Sequence, residues 1–360
     1  MGSINAHILI ALVKVSGLGG AMRRPSQYAY ALARVYAKRS YMLKPADYEA
    51  MAKAVSYHQA LRYLSTTSYA KYVAGAEELT DVERGLALSY NELFNEVSRF
   101  VSGRPRAFLE LVRYRHELEV LKSLLRAKFA DVPRDEALRN VVPFGRFNQE
   151  FCEKLLRARD VATAISLIQD EALRGSLSAA LKEAEELRNP CPIEVAIDKH
   201  AYQLLGRASD ELRGLDRDWV RRLLCGEVDA KNLMICLRLK LIGVKDPKAY
   251  LLPYGHRFTV ERAARVMAAP TIGEALALVR DLVGEVKYTS LSDVEGHLLR
   301  RLASMNSSVF LHYGFHLGLP FALLNLKFFE LRDIKALLIG KSEGLPGEEI
   351  LSRLILHRGA

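Results

Sequence analysis

The chain has 360 residues, more than one small domain needs at the usual 100 to 200 residues or so per domain. It is 50% apolar and 26% charged with a mean hydropathy of zero, a balance that excludes a disordered or low-complexity chain. Lys plus Arg, 52, exceed Asp plus Glu, 42; the resulting charge of +10 admits nucleic acid, anionic lipid or an acidic protein as partner.

The first apolar run, His7 to Val15, contains Lys14 and ends in glycines. It is too short to span a bilayer and lacks a small-residue cleavage site. With Gly17-Leu18-Gly19-Gly20-Ala21-Met22 behind it, the run has the strand–turn–helix context of a dinucleotide-binding fingerprint. Met22 occupies the third glycine position, and no second strand ending in an acid follows, so residues 1–25 are expected to lead as a linker into the first long helix.

Beyond that segment, apolar residues recur at helical spacing, as in Leu86, Leu93, Val97 and Phe100, and the chain reads as all-α. Ser102-Gly103-Arg104-Pro105 breaks the pattern, as do Asn189-Pro190-Cys191-Pro192, Pro253-Tyr254-Gly255 and Gly344-Leu345-Pro346-Gly347. Around the first breaker, Arg99, Phe100, Arg104, Arg106, Phe108, Arg113, Tyr114 and Arg115 interleave cations with aromatics. An RNA-binding surface would use them for phosphate contact and stacking; the simpler expectation is a solvated basic face beside core aromatics. His116-Glu117 begins like a zinc-protease motif, but Val120 stands where the second histidine belongs. Cys152, Cys191, Cys225 and Cys236 form no CxxC pair, so neither a disulfide framework nor a zinc site is indicated, and a reducing compartment fits.

Two repeated patterns organise the rest. Val142-Pro143-Phe144-Gly145-Arg146-Phe147 returns as Leu252-Pro253-Tyr254-Gly255-His256-Arg257-Phe258. Each leads to a helix and then to Ala164-Ile165-Ser166-Leu167-Ile168 or Ala275-Leu276-Ala277-Leu278-Val279, with Asp170 and Asp281 two residues on. Ala60-Leu61-Arg62-Tyr63-Leu64 is a weaker, earlier copy. The second pattern is an acid, an aliphatic four residues on, a leucine four further and a lysine three beyond. It occurs as Glu117, Leu121, Leu125, Lys128; as Asp229, Leu233, Leu237, Lys240; and as Glu330, Ile334, Leu338, Lys341. These steps keep all four positions on one helical face, and they predict the acid in a first turn and the lysine in a last one. The copies of the first pattern run about 104 and 111 residues apart, which predicts three helical units, 26–130, 131–243 and 244–360.

Near the C-terminus, Val309 to Phe329 is long enough to be considered as a membrane span. It carries His312, His316, Asn325 and Lys327, and a buried helix pair broken at Pro320 is the expected reading. His312 and His316 could share a helical face as metal ligands; Gly314 between them and the lack of an adjacent carboxylate favour a buried or interfacial pair.

The segment with Asp229, Asn232, Leu233, Leu237, Arg238, Lys240 and Gly243 resembles the D-x-x-N-L-x-x-x-L-R-x-K-x-x-G helix of the C-subunit family of archaeal-type and V-type ATP synthases, to which the d-subunit of the vacuolar ATPase belongs. Tyr114 to Phe129 and Phe329 to Gly344 resemble its first and third copies. Tyr28 to Tyr72 is similar to the family's opening, with Leu64, Thr67 and Tyr69 in its L-x-x-T-x-Y element. Departures are Val120-Leu121 and Asp333-Ile334 in place of Asn-Leu, and Ile339 in place of the third arginine.

The resemblance implies an all-α funnel of three similar units about a pseudo-threefold axis. It implies a non-catalytic coupling protein without cofactor, catalytic or metal residues. That protein is seated peripherally on the cytoplasmic face of the membrane rotor ring and receives the central stalk, with neither nucleic acid nor small-molecule substrate as partner. It serves ATP synthesis coupled to ion (proton) transport. The alternative is a basic helical-repeat protein that binds RNA, suggested by the charge and the Arg99 to Arg115 cluster.

Overall fold

The computed structural model describes residues 25–139, 141–312 and 314–357. The apolar run His7 to Val15 and the glycine-rich stretch Gly17 to Met22 lie outside the described residues. Among those described, the secondary structure is helical, with no strand and one isolated bridge between Phe144 and Phe147. The helices are α1 Pro25–Ser40, α2 Pro45–Lys53, α3 Tyr57–Leu64, α4 Leu79–Ser98, α5 Arg104–Phe129 and α6 Arg134–Arg139. They continue as α7 Gln149–Leu156, α8 Val161–Ser166, α9 Glu171–Leu187, α10 Cys191–Asp210, α11 Gly214–Leu241 and α12 Val260–Ala268. The last are α13 Ile272–Ala277, α14 Arg280–Val283, α15 Leu291–Ser308, α16 Gly318–Ser342 and α17 Gly347–Arg353.

Helix starts follow local chemistry. Ser56, Asn148, Asp160, Asp170, Thr259, Thr271 and Ser290 each accept a backbone N–H from the first turn of the helix they precede. Such a cap is worth about 1 kcal/mol, which matters most for helices of six to nine residues that would be marginal alone.

The chain forms two compact bodies. One takes in Ser98–Arg213 and Leu252–Tyr254. In it α10 packs on α5 and α9, and α5 also meets α7 and α8; Leu121, Leu125, Cys152, Ile165, Leu177 and Ile197 are buried between them. The other takes in Tyr28–Val97, Gly214–Leu251 and Gly255–Ala360. There α11 packs on α12, α15 and α16, while α16 also meets α2, α3 and α17. Leu233, Leu237, Ala263, Val266, Ala275 and Val294 close the part of this core between α11, α12, α13 and α15. At about 1.5 to 3 kcal/mol for each fully buried large aliphatic, these cores hold the helices where propensity alone would not.

Pro320 does not break a helix. Val309–Leu311 is a single 3-10 turn, and α16 starts at Gly318, which places Pro320 in the first turn. A backbone N–H there has no intrahelical acceptor, so proline removes nothing. No described helix is long and apolar enough to cross a membrane.

His312 and His316 both precede α16 and share no helix; they meet Trp219, the chain's one tryptophan. His316 stacks on the indole with centroids 4.9 Å apart and planes 6° from parallel, and His312 meets its edge at 4.6 Å. Asp216 Oδ1 accepts the Leu317 N–H at 2.7 Å. A Cβ on Gly318 would lie 2.6 Å from Trp219 Cβ, so the two chain segments approach where a side chain is missing. His316 is 1% exposed, and neither ring nitrogen has a hydrogen-bond partner among the described residues. Burial, aided by His312, lowers its pKa from 6.5 to about 4. The unfolded chain therefore takes up the proton first. Stability contributed by neutral His316 is complete above about pH 6.5 and is lost as pH falls towards 4. His316→Phe should flatten that limb of the stability–pH curve, followed by Trp219 fluorescence in urea titrations; identical limbs in the two proteins would contradict this.

Candidate functional site

The signature helices are α5, α11 and α16. Their aliphatic positions, Leu121, Leu125, Leu233, Leu237, Ile334 and Leu338, are all buried, at 0 or 1% exposure. Lys128, Lys240 and Lys341 lie in last turns, as the spacing predicts. The acids do not lie in first turns: Glu117, Asp229 and Glu330 sit midway along their helices, only 3%, 5% and 0% exposed. A carboxylate there has no free helix-end N–H to meet and must find partners elsewhere.

Each finds them in a loop that precedes a short helix. Asp229 accepts three backbone N–H groups from the loop before α12. Oδ1 takes His256 at 2.9 Å and Phe258 at 3.0 Å, and Oδ2 takes Arg257 at 2.9 Å. Glu117 faces the loop before α7, where Phe144 and Phe147 exchange backbone hydrogen bonds at 3.0 and 3.1 Å across a tight turn. It accepts the Arg146 backbone N–H and lies 3.4 Å from the Arg146 guanidinium and 3.2 Å from that of Arg113. Burial still raises its pKa above the usual carboxylate value. Gly145 lets the turn close: its φ is +58°, and a Cβ would lie 2.0 Å from Glu117 Oε1. Glu330 accepts the Leu43 N–H at 2.5 Å, in the loop before α2. Its other oxygen takes the Tyr69 hydroxyl at 2.6 Å and Lys327 Nζ at 2.8 Å. Tyr69 is the tyrosine of the L-x-x-T-x-Y element, and burial beside Glu330 raises its pKa well above 10.

The lysines complete the contact at the far end. Lys128 Nζ reaches the Leu156 carbonyl at 3.4 Å, where α7 ends, and Lys240 Nζ reaches Met267 O at 2.9 Å and also Ala269 O, where α12 ends. Eleven residues of helix rise about 16 Å, enough to span a helix of eight or nine residues from the loop before it to its last carbonyls. In the third copy Gly347 approaches α2 instead, and a Cβ there would lie 2.7 Å from Ala52 O. Lys341 is half-buried. On α16, one turn beyond Glu330, Asp333 holds the tail, accepting Ile355 N–H at 2.8 Å and Leu356 N–H at 2.7 Å. Burial raises its pKa to about 6 despite those bonds.

The pattern is cyclic along the sequence. Glu117 holds the loop between α6 and α7, Asp229 holds the loop between α11 and α12, and Glu330 holds the loop between α1 and α2. Sequence reasoning missed these latches. The signal for them was an acid on the same face as buried aliphatics, a position that helix-end electrostatics does not explain.

Other candidate residues are taken up locally. Asp170 caps α9 and meets His200 at 3.1 Å, which holds its carboxyl down to about 2. Asp281 pairs with Arg257 and Arg262 at 2.9 and 3.0 Å. Phe108 and Tyr114 are buried and cannot stack on bases, Arg115 is buried, and Arg113 meets Glu117. Among the described residues no three metal-binding side chains converge.

A model of the ATP synthase (C/AC39) subunit matches residues 31–353. The V-type ATP synthase C-subunit of Thermus thermophilus is 31% identical over 242 residues, which cover 67% of this chain and 71% of that protein. The A-type ATP synthase C-subunits of Methanocaldococcus jannaschii and Haloferax volcanii are 23% and 24% identical, over 91% of this chain and 86% and 97% of theirs.

Proposed function

Because the chain belongs to the ATP synthase (C/AC39) subunit family, and is thus a non-catalytic subunit of a V/A-type ATP synthase, we propose that it couples the central stalk to the membrane rotor ring. In this reading the three units 26–130, 131–243 and 244–360 form a funnel with pseudo-threefold symmetry. The funnel sits on the cytoplasmic face of the membrane, one end on the ring and its mouth around the stalk, and passes torque between them during ATP synthesis coupled to proton transport.

The observation that supports this most is the cycle of latches at Glu117, Asp229 and Glu330. A body that transmits torque must resist shear between its parts, and a cycle of three leaves no repeat with a free end. Each latch is a buried carboxylate on backbone N–H, a charge-assisted bond stronger than a neutral one. The test is reconstitution in detergent with the ring and central-stalk proteins of the same synthase. Binding to both at low and physiological salt is expected; failure to bind either would overturn the proposal.

A further inference from the structure

An open cleft in the second body lies between α11 and α15, with a volume of about 990 Å³. Arg217, Arg221 and Arg222 of α11 and Arg301 of α15 line it, and Leu298, Leu302 and Met305 of α15 give it an apolar floor. The helices close on each other at Gly226, where a Cβ would lie 2.6 Å from Met305 Cε. Arg217, Arg222 and Arg301 are exposed, and among the described residues none has a carboxylate within ion-pair distance. Of the two carboxylates in the cleft, Asp229 has both oxygens turned to the loop before α12, which leaves Asp218 against the arginines.

We infer that this cleft receives an acidic amphipathic helix from another protein of the synthase, an inference that rests on the coupling reading above. Charge complementarity selects an acidic partner, and shape selects a helix. From Arg217 to Leu233, the α11 side of the cleft runs about 24 Å, the length of a helix of four or five turns. Leu298, Leu302 and Met305 repeat at steps of four and three along the floor; the two leucines are buried, and half-buried Met305 is the one open to an apolar anchor from a second helix. Methionine adapts to such anchors without a unique shape. A free phosphate or a single lipid headgroup would engage the arginines and leave half-buried Met305 uncovered. Single-stranded RNA would need stacking rings, and Trp219 beside Arg222 is already covered by His316.

The test uses synthase complex depleted of this protein and measures rebinding of wild type, of the double variant Arg217→Glu/Arg301→Glu, and of Arg217→Lys/Arg301→Lys. The expected result is a loss of about tenfold or more in affinity on charge reversal, little loss with lysine, and wild-type affinity that falls with salt. Melting curves matching wild type establish that both variants fold. A photo-crosslinking residue at Ser304 should become attached to a segment rich in Asp and Glu in a partner protein. Equal rebinding by the charge-reversed variant, or a crosslink to lipid, RNA or a basic segment, would overturn the inference while the coupling reading stands. Failure of wild type to rebind at all would refute that reading and this inference with it.

Discussion

Asp229→Ala is expected to lower the unfolding free energy by about 3 kcal/mol, because it removes the acceptor of three backbone N–H groups at once. The Phe258 N–H is buried and gains no water in exchange, whereas the Arg257 and His256 groups are nearer solvent and recover part of the loss. Asp229→Asn should cost less. Its carbonyl oxygen can keep His256 and Phe258 on the Oδ1 side, while the amide group opposes Arg257 N–H as donor against donor. Urea denaturation of the three proteins should rank them wild type, Asn, Ala in decreasing stability. An alanine variant as stable as wild type would show that the loop is held by its own packing.

Leu237→Pro should be more damaging. Position 237 lies inside α11 and is fully buried; proline there removes the N–H that reaches back to residue 233 and clashes with that carbonyl, at about 3 kcal/mol or more. Loss of the leucine side chain from the core adds about 2 to 5 kcal/mol. Together these rival the whole stability of a typical domain, so the second body should not fold. Far-UV circular dichroism should show lost helix and no cooperative melt. Leu241→Ala, at the exposed end of the same helix, should melt like wild type. A cooperative Leu237→Pro melt near the wild-type temperature would mean that α11 is not continuous through this turn.

Much of this fold could be read from local chemistry. Apolar spacing on Leu121 and Leu125, or Leu233 and Leu237, marks a helix face wherever the partner helix lies. Capping residues such as Asn148 and Thr259 act within three positions of themselves, and Gly145 marks a turn whatever faces it. The latches are different in kind. Glu117 meets a loop some thirty residues on, and no spacing rule gives that register; Glu330 meets a residue at the opposite end of the chain. The same holds for Trp219, which meets His312 and His316 about a hundred residues later. Pro320 misleads in the sequence because proline breaks a helix only beyond its first turn, and where α16 begins depends on the Asp216 and Trp219 contacts that precede it.

The hydrogen bond from Leu43 to Glu330 separates its partners by 287 residues of chain. During synthesis from the N-terminus, the opening loop and α2 leave the ribosome long before α16 exists. Until then Leu43 has no carboxylate to meet, and the hydroxyl of Tyr69 and the faces of α2 and α3 that pack on α16 remain uncovered. The loop at Leu43 and the Tyr69 hydroxyl are thus made early and completed only once α16 is made. Closing so long a loop costs little more entropy than closing a medium one, because that cost grows only with the logarithm of length. Its main consequence is kinetic: the nascent chain carries an unfinished hydrophobic surface at α2 and α3 while the 287 residues that separate Leu43 from Glu330 are made, which leaves that segment open to chaperones and to misassembly.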